Sequence, residues 1–235
     1  MSVRDPVDLL VFGPHPDDLE IGLGGSIAKH VALGFTVGLC DLTRGELGTN
    51  GTPEERLAEA ESARRLLGAK WRENLGLPDG GIGSDESHIR DIVALIRQAK
   101  PKAIAAPYEG DRHPDHVSAS RLLTRAAFMS GLTRYSAPGE KWRADWVLYY
   151  FINDATRPSF VVDVTDYYDA KREALACHRS QFQPSAPDAS ATRLTSPRFQ
   201  QLIESRDAQF GALINVEFAE GVVSTELLAR RDLLK

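Results

Sequence analysis

Cysteine is scarce: Cys40 and Cys177 are the only two in 235 residues, and they form no Cys-x-x-Cys pair. That excludes a thiolate metal cage and a dithiol redox motif. Cys40 lies in an apolar strand-like run and Cys177 in a helix-like one, so both read as small buried hydrophobes and no disulfide is expected. Long apolar runs are also missing. No segment approaches the ~18–20 residues that span a bilayer, and no basic stretch leads into an apolar one near Met1. The expectation is a cytoplasmic protein with no membrane partner. Acids and bases are mixed along the chain, with a formal net charge of −5; without a basic stripe, a nucleic-acid partner is not expected. Internal repeats and Gly/Pro tracts are absent, which excludes solenoids and linker-rich arrays. What remains is a chain 42% hydrophobic, long enough for one sizeable core. A single domain over 1–235 is expected, on a prior of about 150 residues per domain.

The first 130 residues alternate strand-like and helix-like segments. Val7–Phe12 is a short apolar run stopped by Gly13-Pro14, and residues 21–33 follow with helical spacing of Ile21, Ile27, Ala28, Val31 and Ala32. Phe35–Leu42 reads as a strand, then a glycine-rich polar loop runs from Thr43 to Gly51. Thr52-Pro53-Glu54-Glu55 has the form of a capping box with proline at the first helical position, and Gly68 ends that helix. A strand near Glu73–Leu77, a helix near Ser87–Gln98, a strand at Lys102–Pro107 and a helix from about Asp115 to Ser130 complete the pattern. Such alternation predicts an α/β fold: a doubly wound, mostly parallel, Rossmann-like sheet with helices on both faces. Beyond it, Trp146–Ile152, Phe160–Thr165 and Val216–Ser224 read as strands. Tyr167–Phe182 and the segment opening at Ser196-Pro197 read as helices, and Gln183–Ser196 as a polar, proline-containing loop, either mobile or bordering a site.

Two clusters carry chemistry. His15-Pro16-Asp17-Asp18 follows the first strand, and Asp111-Arg112-His113-Pro114-Asp115-His116 follows the strand at 102–107. Loops at the carboxyl ends of strands line the ligand crevice of a doubly wound sheet. If these two strands are neighbours, the clusters face each other. Imidazole nitrogen and carboxylate oxygen suit zinc, whose catalytic sites use three protein ligands and leave one position open. A surplus carboxylate beside the ligands is then free to accept a proton from water. Either alone has a plain reading too, since His-Pro-Asp occurs in turns and Asp caps helices. Residue types leave open whether Asp17 or Asp18 ligates, and whether His113 or His116 does. His30, His88 and His178 lie in helical stretches without partner ligands and read as ordinary histidines.

These residues resemble a known family. His15-Pro16-Asp17-Asp18 with Glu20-Ile21-Gly22-x-Gly24-Gly25, and later Arg112-His113-Pro114-Asp115-His116, are similar to the motifs of the LmbE/PIG-L zinc-dependent N-acetylglucosamine deacetylases. The likeness continues through Asp41-Leu42-Thr43, Gly51-Thr52 with Arg56, Asn74-Leu75-Gly76-Leu77-Pro78-Asp79, Pro107-Tyr108, Phe151-Ile152-Asn153 and Ser180-Gln181-Phe182. Within the family it is most similar to the branch that deacetylates N-acetylglucosaminyl-malate in bacillithiol synthesis. The resemblance implies an LmbE-like fold and Zn2+ held by His15, Asp18 and His116. It implies Asp17 as general base, and His113 as a histidinium that stabilises the oxyanion. Asp115 would orient a histidine, and Arg56 would contact substrate. It also implies a homo-oligomer, with a hexamer as one form. Pro14 departs from the family, where alanine is commoner, and stiffens the loop entry. The family's oxyanion-donating tyrosine has no secure match. Arg56 and Arg112 suit the two carboxylates of a malate aglycone, because guanidinium binds carboxylate bidentately.

Three rival readings are separable. A dinucleotide-binding enzyme would use Gly22-Leu23-Gly24-Gly25, but Ile27 stands where GxGxxG requires glycine, and the run follows the His/Asp loop; tight NAD or ATP binding would identify it. A non-catalytic metal- or sugar-binding module needs no spare base, and a hydrolysis assay separates it. An amidase on another small amino-sugar or thiol conjugate shares the chemistry and differs only in substrate. Imidazole–carboxylate sites also accept iron, cobalt or nickel.

Overall fold

The computed structural model describes residues 4–183, 189–227 and 232. Seven strands form one sheet: β1 (Leu9–Gly13), β2 (Val37–Thr43), β3 (Trp71–Leu77), β4 (Ala103–Pro107), β5 (Trp146–Tyr150), β6 (Phe160–Asp163) and β7 (Ala219–Ser224). Their order is β3-β2-β1-β4-β5-β7-β6. The first five are parallel, as the alternation predicted, and β7 pairs antiparallel with both β5 and β6. β1 lies between β2 and β4, with Val11 registered against Leu39 on one side and Ala105 on the other. The chain order reverses there, so the loops after β1 and β4 open side by side at the switch point.

Strand side chains alternate between two cores. Leu10 and Phe12 pack with α3 (Glu86–Ala99) and α4 (Pro114–Ser130) on one face. Val11 faces the opposite layer, built on α1 (Asp18–Ala32), α2 (Pro53–Leu67) and α5 (Tyr168–Cys177). The capping box of α2 is formed: Glu55 N donates to Thr52 Oγ1 at 3.1 Å and Thr52 N to Glu55 Oε2 at 3.0 Å. Gly68 closes that helix in the left-handed region at φ 74°. No described helix is long and apolar enough to cross a membrane, and both cysteines are free thiols.

Several elements depart from the spacing-based expectation. Helix α1 begins at Asp18 rather than Ile21, because Asp18 and Glu20 in its first turn are buried polar groups that break the apolar pattern. It also breaks at Leu23 (φ −136°, ψ 19°). The glycines around the break are packing positions: a Cβ on Gly22 would fall 2.1 Å from the Tyr150 ring, and one on Gly25 2.8 Å from Val164. They contribute no phosphate-binding loop. The expected helix over 167–182 divides into a 3-10 turn (Thr165–Tyr167), α5, and α6 (Arg179–Phe182), interrupted at His178 (φ −82°, ψ 58°). Strand β7 starts at Ala219, after a reversal in which Asn215 has φ 62°. A final long helix, α7 (Pro197–Ala212), is capped by Ser196 as its sequence predicts. Residues 184–188 of the expected polar loop lie outside the described residues.

Candidate active site

The loop after β1 folds back on itself at once. His15 N donates to Asp18 Oδ2 at 2.9 Å, and Asp18 N returns to His15 O at 3.3 Å. This tight turn forces Asp17 to φ 135°, a backbone region that L side chains occupy at a cost of roughly 1–3 kcal/mol and that clusters at functional sites. Both aspartates are buried, 2% and 4% exposed, and the turn separates them. Asp18 Oδ2 lies 3.1 Å from His15 Nδ1 and 3.3 Å from His116 Nε2. Asp17 instead lies 3.4 Å from Arg56 Nη2.

The loop after β4 meets it across the switch point. His113 caps α4: its Nδ1 accepts from Asp115 N at 3.2 Å, and Pro114 fills the first helical position. That bond leaves Nε2 as the proton-bearing nitrogen of a neutral ring. His116 is oriented by Asp111, whose Oδ1 sits 3.1 Å from His116 Nδ1. Asp111 is in turn held by Asn153 through its backbone N–H at 2.9 Å and Nδ2 at 3.1 Å. A carboxylate behind a histidine in this way fixes the tautomer that presents the other nitrogen to a metal. Asp115 stands elsewhere: its Oδ2 accepts from Gly80 N at 2.8 Å and lies 3.3 Å from His15 Nε2.

Two overlapping donor sets result, His15/Asp18/His116 and His15/His113/Asp115, each with donor atoms within 4.8 Å of one another. Burial favours protonation of Asp18, yet His116 and His15 outweigh it and hold the carboxyl well below its ordinary range. Against burial, Asp18 and Asp111 push His116 up to about 9, and Asp115, Asp18 and Asp79 raise His15 well above its usual value. Both rings are thus made to carry positive charge beside Asp18. Two imidazoles and a carboxylate with converging atoms are a donor set that fits zinc. Asp17 belongs to neither set. Burial pushes it up to about 6, with Arg56 opposing and Asp18 assisting. His113 moves the other way: burial and the neighbouring His116 and His15 lower it.

These groups line a cavity of about 510 Å3. Arg112 and Arg193 stand exposed on its rim, and neither guanidinium has an ion-pair partner among the described residues. Arg56 borders the cavity but is 4% exposed and already engaged: Nη1 donates to Gly45 O and Nη2 to Pro16 O, both at 3.0 Å. Beneath the cavity Arg72 joins Glu20 and Asp41 in a buried ion cluster. His178, read from sequence as ordinary, is fully buried there, with Nε2 3.2 Å from Glu20 Oε2. His88 and His30 match their ordinary reading: Gly83 N donates to His88 Nδ1, and His30 Nδ1 meets Ser26 O.

The spacing arguments missed Asp79 and Arg193. Asp79 Oδ1 lies 3.1 Å from His15 Nε2, and its other oxygen accepts from Leu47 N at 2.9 Å. Its only sequence signal was its place in Asn74–Asp79. Arg193 came with none beyond its polar loop.

Comparison with known proteins agrees with this geometry. The chain matches the PIG-L family, described as GlcNAc-PI de-N-acetylase, over residues 10–127, which contain both clusters. It is 31% identical to the diacetylchitobiose deacetylase of Thermococcus kodakarensis, covering 76% of this chain and 72% of the relative. It is 28% identical to the 1D-myo-inositol 2-acetamido-2-deoxy-alpha-D-glucopyranoside deacetylase of Rhodococcus opacus, covering 74% and 81%. Among solved structures, a conserved protein of Thermus thermophilus superposes with TM-score 0.88 at 36% identity, over 97% of this chain and 99% of that one. The chain belongs to the PIG-L (LmbE-like) family and is a hydrolytic N-deacetylase.

Proposed function

We propose that this enzyme removes the acetyl group from an N-acetylglucosamine conjugate, using zinc held by His15, Asp18 and His116 and Asp17 as general base. The observation that carries the proposal is the division of labour between adjacent aspartates: Asp18 lies between two imidazoles while Asp17 lies apart from both donor sets. When bound, the metal supplies Lewis acidity toward the acetyl carbonyl and toward water. Asp17 accepts the proton of the attacking water as the new carbon–oxygen bond forms. Its carboxyl, raised toward neutrality, is matched to that transfer. His113 donates its Nε2 proton as a hydrogen bond to the oxyanion. This reading replaces the expected histidinium with a neutral ring, because His113 Nδ1 accepts from Asp115 N and burial, with His116 and His15 beside it, lowers its proton affinity. The proton taken by Asp17 passes to the amine as the carbon–nitrogen bond breaks, and the acid's own proton follows it, leaving acetate and the amino sugar as its ammonium form. Asp115 positions His15.

The conjugate is read as anionic, with N-acetylglucosaminyl-malate as the specific substrate. Arg112 and Arg193 support it, as two exposed guanidiniums on the cavity rim suited to carboxylates. Arg56 takes a different part from the direct contact first expected, binding the two loops together around Asp17. The reading also takes residues 1–235 as one catalytic domain, and a homo-oligomer as the working assembly, a hexamer being one form; light scattering measures the latter.

The test is an amine-release assay on the zinc-loaded and chelator-treated enzyme. The substrates are N-acetylglucosamine, diacetylchitobiose and N-acetylglucosaminyl-malate. Zinc-dependent release with a much higher kcat/KM on the malate conjugate is the expected result. Equal efficiency on all three removes the malate assignment, and release undiminished by chelation removes the metal.

A further inference from the structure

Helix α1, which carries Asp18, is broken at Leu23, and two charged residues from the C-terminal quarter of the chain occupy the break. In an unbroken helix Gly25 N would donate to Ile21 O. Instead Gly25 N and Ser26 N turn to the two oxygens of Glu220, at 3.0 and 2.7 Å. Glu220 is neutralised by the buried ammonium of Lys171 at 2.7 Å. The freed carbonyl of Ile21 accepts from Arg206 Nη2 at 2.8 Å. Arg206 has a second attachment: its Nη1 donates to Phe151 O at 3.0 Å and Ile152 O at 2.9 Å. Its Nε is fixed by Asp207 at 2.9 Å, and the side chain is only 9% exposed. The residue after Ile152 is Asn153, which holds Asp111, and Asp111 orients His116.

We infer that Arg206 is a positioning residue for the metal site, a strut that sets the spacing between Asp18 and His116. One guanidinium grips the first segment of α1 on one side and the backbone leading to Asn153 on the other. The 3.3 Å approach of His116 Nε2 to Asp18 Oδ2 lies between those two attachments. Guanidinium suits the position because its nitrogens diverge in a fixed plane, Nη2 toward Ile21 O and Nη1 toward Phe151 O and Ile152 O, whereas an ammonium presents all its donors from one atom on a flexible stem. Arg206 touches no donor atom of the site and stands in none of the sequence motifs. The inference rests on the zinc reading above.

The experiment measures zinc affinity directly, by competition with a chromophoric chelator, for wild type, Arg206→Met, Arg206→Lys, His116→Ala and, as control, Arg198→Met on the exposed face of the same helix. Urea unfolding of each metal-free protein runs in parallel. Arg206→Met is expected to weaken zinc binding by roughly 10–100-fold, the usual range for groups that orient metal ligands. Arg206→Lys should lie between it and wild type, and Arg198→Met should match wild type. At saturating zinc, Arg206→Lys should recover most of its turnover. If Arg206→Met does not fold, Arg206→Lys decides alone. Lowered stability with unchanged zinc affinity overturns the inference and leaves Arg206 a structural residue. Zinc lost from His116→Ala but fully retained by both Arg206 variants overturns this inference only; a wild type that binds no zinc overturns the metal reading and this one together.

Discussion

Replacing Arg72 by methionine should strongly destabilise the protein, although Arg72 lies outside the cavity. Its side chain is 4% exposed and grips Asp41 with both ends of the fork, Nε to Oδ2 at 2.7 Å and Nη2 to Oδ1 at 2.8 Å. Nη1 reaches Glu20 Oε1 at 2.5 Å and Ala60 O at 3.1 Å. Glu20 and Asp41 are themselves 0% and 1% exposed. Methionine fills similar volume but leaves two buried carboxylates without the guanidinium between them. Breaking a buried pair from one side costs about 3–5 kcal/mol, and the lost carbonyl contact adds about 1 more. Against a total of roughly 5–15 kcal/mol for a domain, that is about half of the stability in the middle of the range and nearly all of it at the lower end. The triple variant Arg72→Met, Glu20→Gln, Asp41→Asn removes the guanidinium and both carboxylates, and should recover at least about half of the loss, since the main penalty is the uncompensated charge. Urea denaturation of wild type, single and triple variants measures this. A triple variant no more stable than Arg72→Met refutes the reasoning. Because Glu20 shares the first turn of α1 with Asp18, the single variant should also lose zinc.

Other outcomes follow from the same structure. Asp17→Asn should keep its zinc while turnover drops by roughly 10²–10⁴-fold, the scale of general-base catalysis; loss of metal, seen by elemental analysis, would make Asp17 a ligand. Arg112→Ala and Arg193→Ala should each raise KM on the malate conjugate and leave KM on free N-acetylglucosamine unchanged; equal effects on both substrates would dismiss the anionic reading. Asp8 links the starts of three strands: Lys102 donates to it at 2.8 Å, Thr36 Oγ1 at 2.8 Å and Thr36 N at 2.9 Å, holding its carboxyl at about 2. A lowered carboxyl stabilises the fold above its ordinary 3.8 and ceases to as pH falls through about 2. Asp8→Asn should therefore flatten acid unfolding in that window, and superimposable acid curves would count against it.

The strand–helix alternation and the two His/Asp clusters were legible from residues alone, because both are local. A strand buried on both faces shows as a short apolar run, as in Leu9–Gly13, and the capping box of α2 lies within four consecutive positions, Thr52 to Glu55. A cluster directly after a parallel strand has nowhere to go but the carboxyl edge of the sheet. Even the facing of the two clusters followed once β1 and β4 proved adjacent. Helix boundaries were less legible where polar residues are buried. Asp18 and Glu20 conceal the first turn of α1, and His178 conceals a break between helices.

Only the tertiary structure decided which aspartate faces the imidazoles and which stands apart, because that depends on the backbone of a single residue, Asp17 at φ 135°. It also decided that Arg56 joins two loops, that Asp111 orients His116, and that Arg206 reaches Ile21 across 185 positions of sequence. No short-range pattern announces such contacts. A charged side chain in a helix has the same local spacing whether it meets water or a carbonyl from the far end of the chain. The sequence by itself determined the fold class and the chemical character of the site, since periodicity and residue type are properties of neighbours. The roles within the site came from packing, which alone brings distant residues within hydrogen-bond reach.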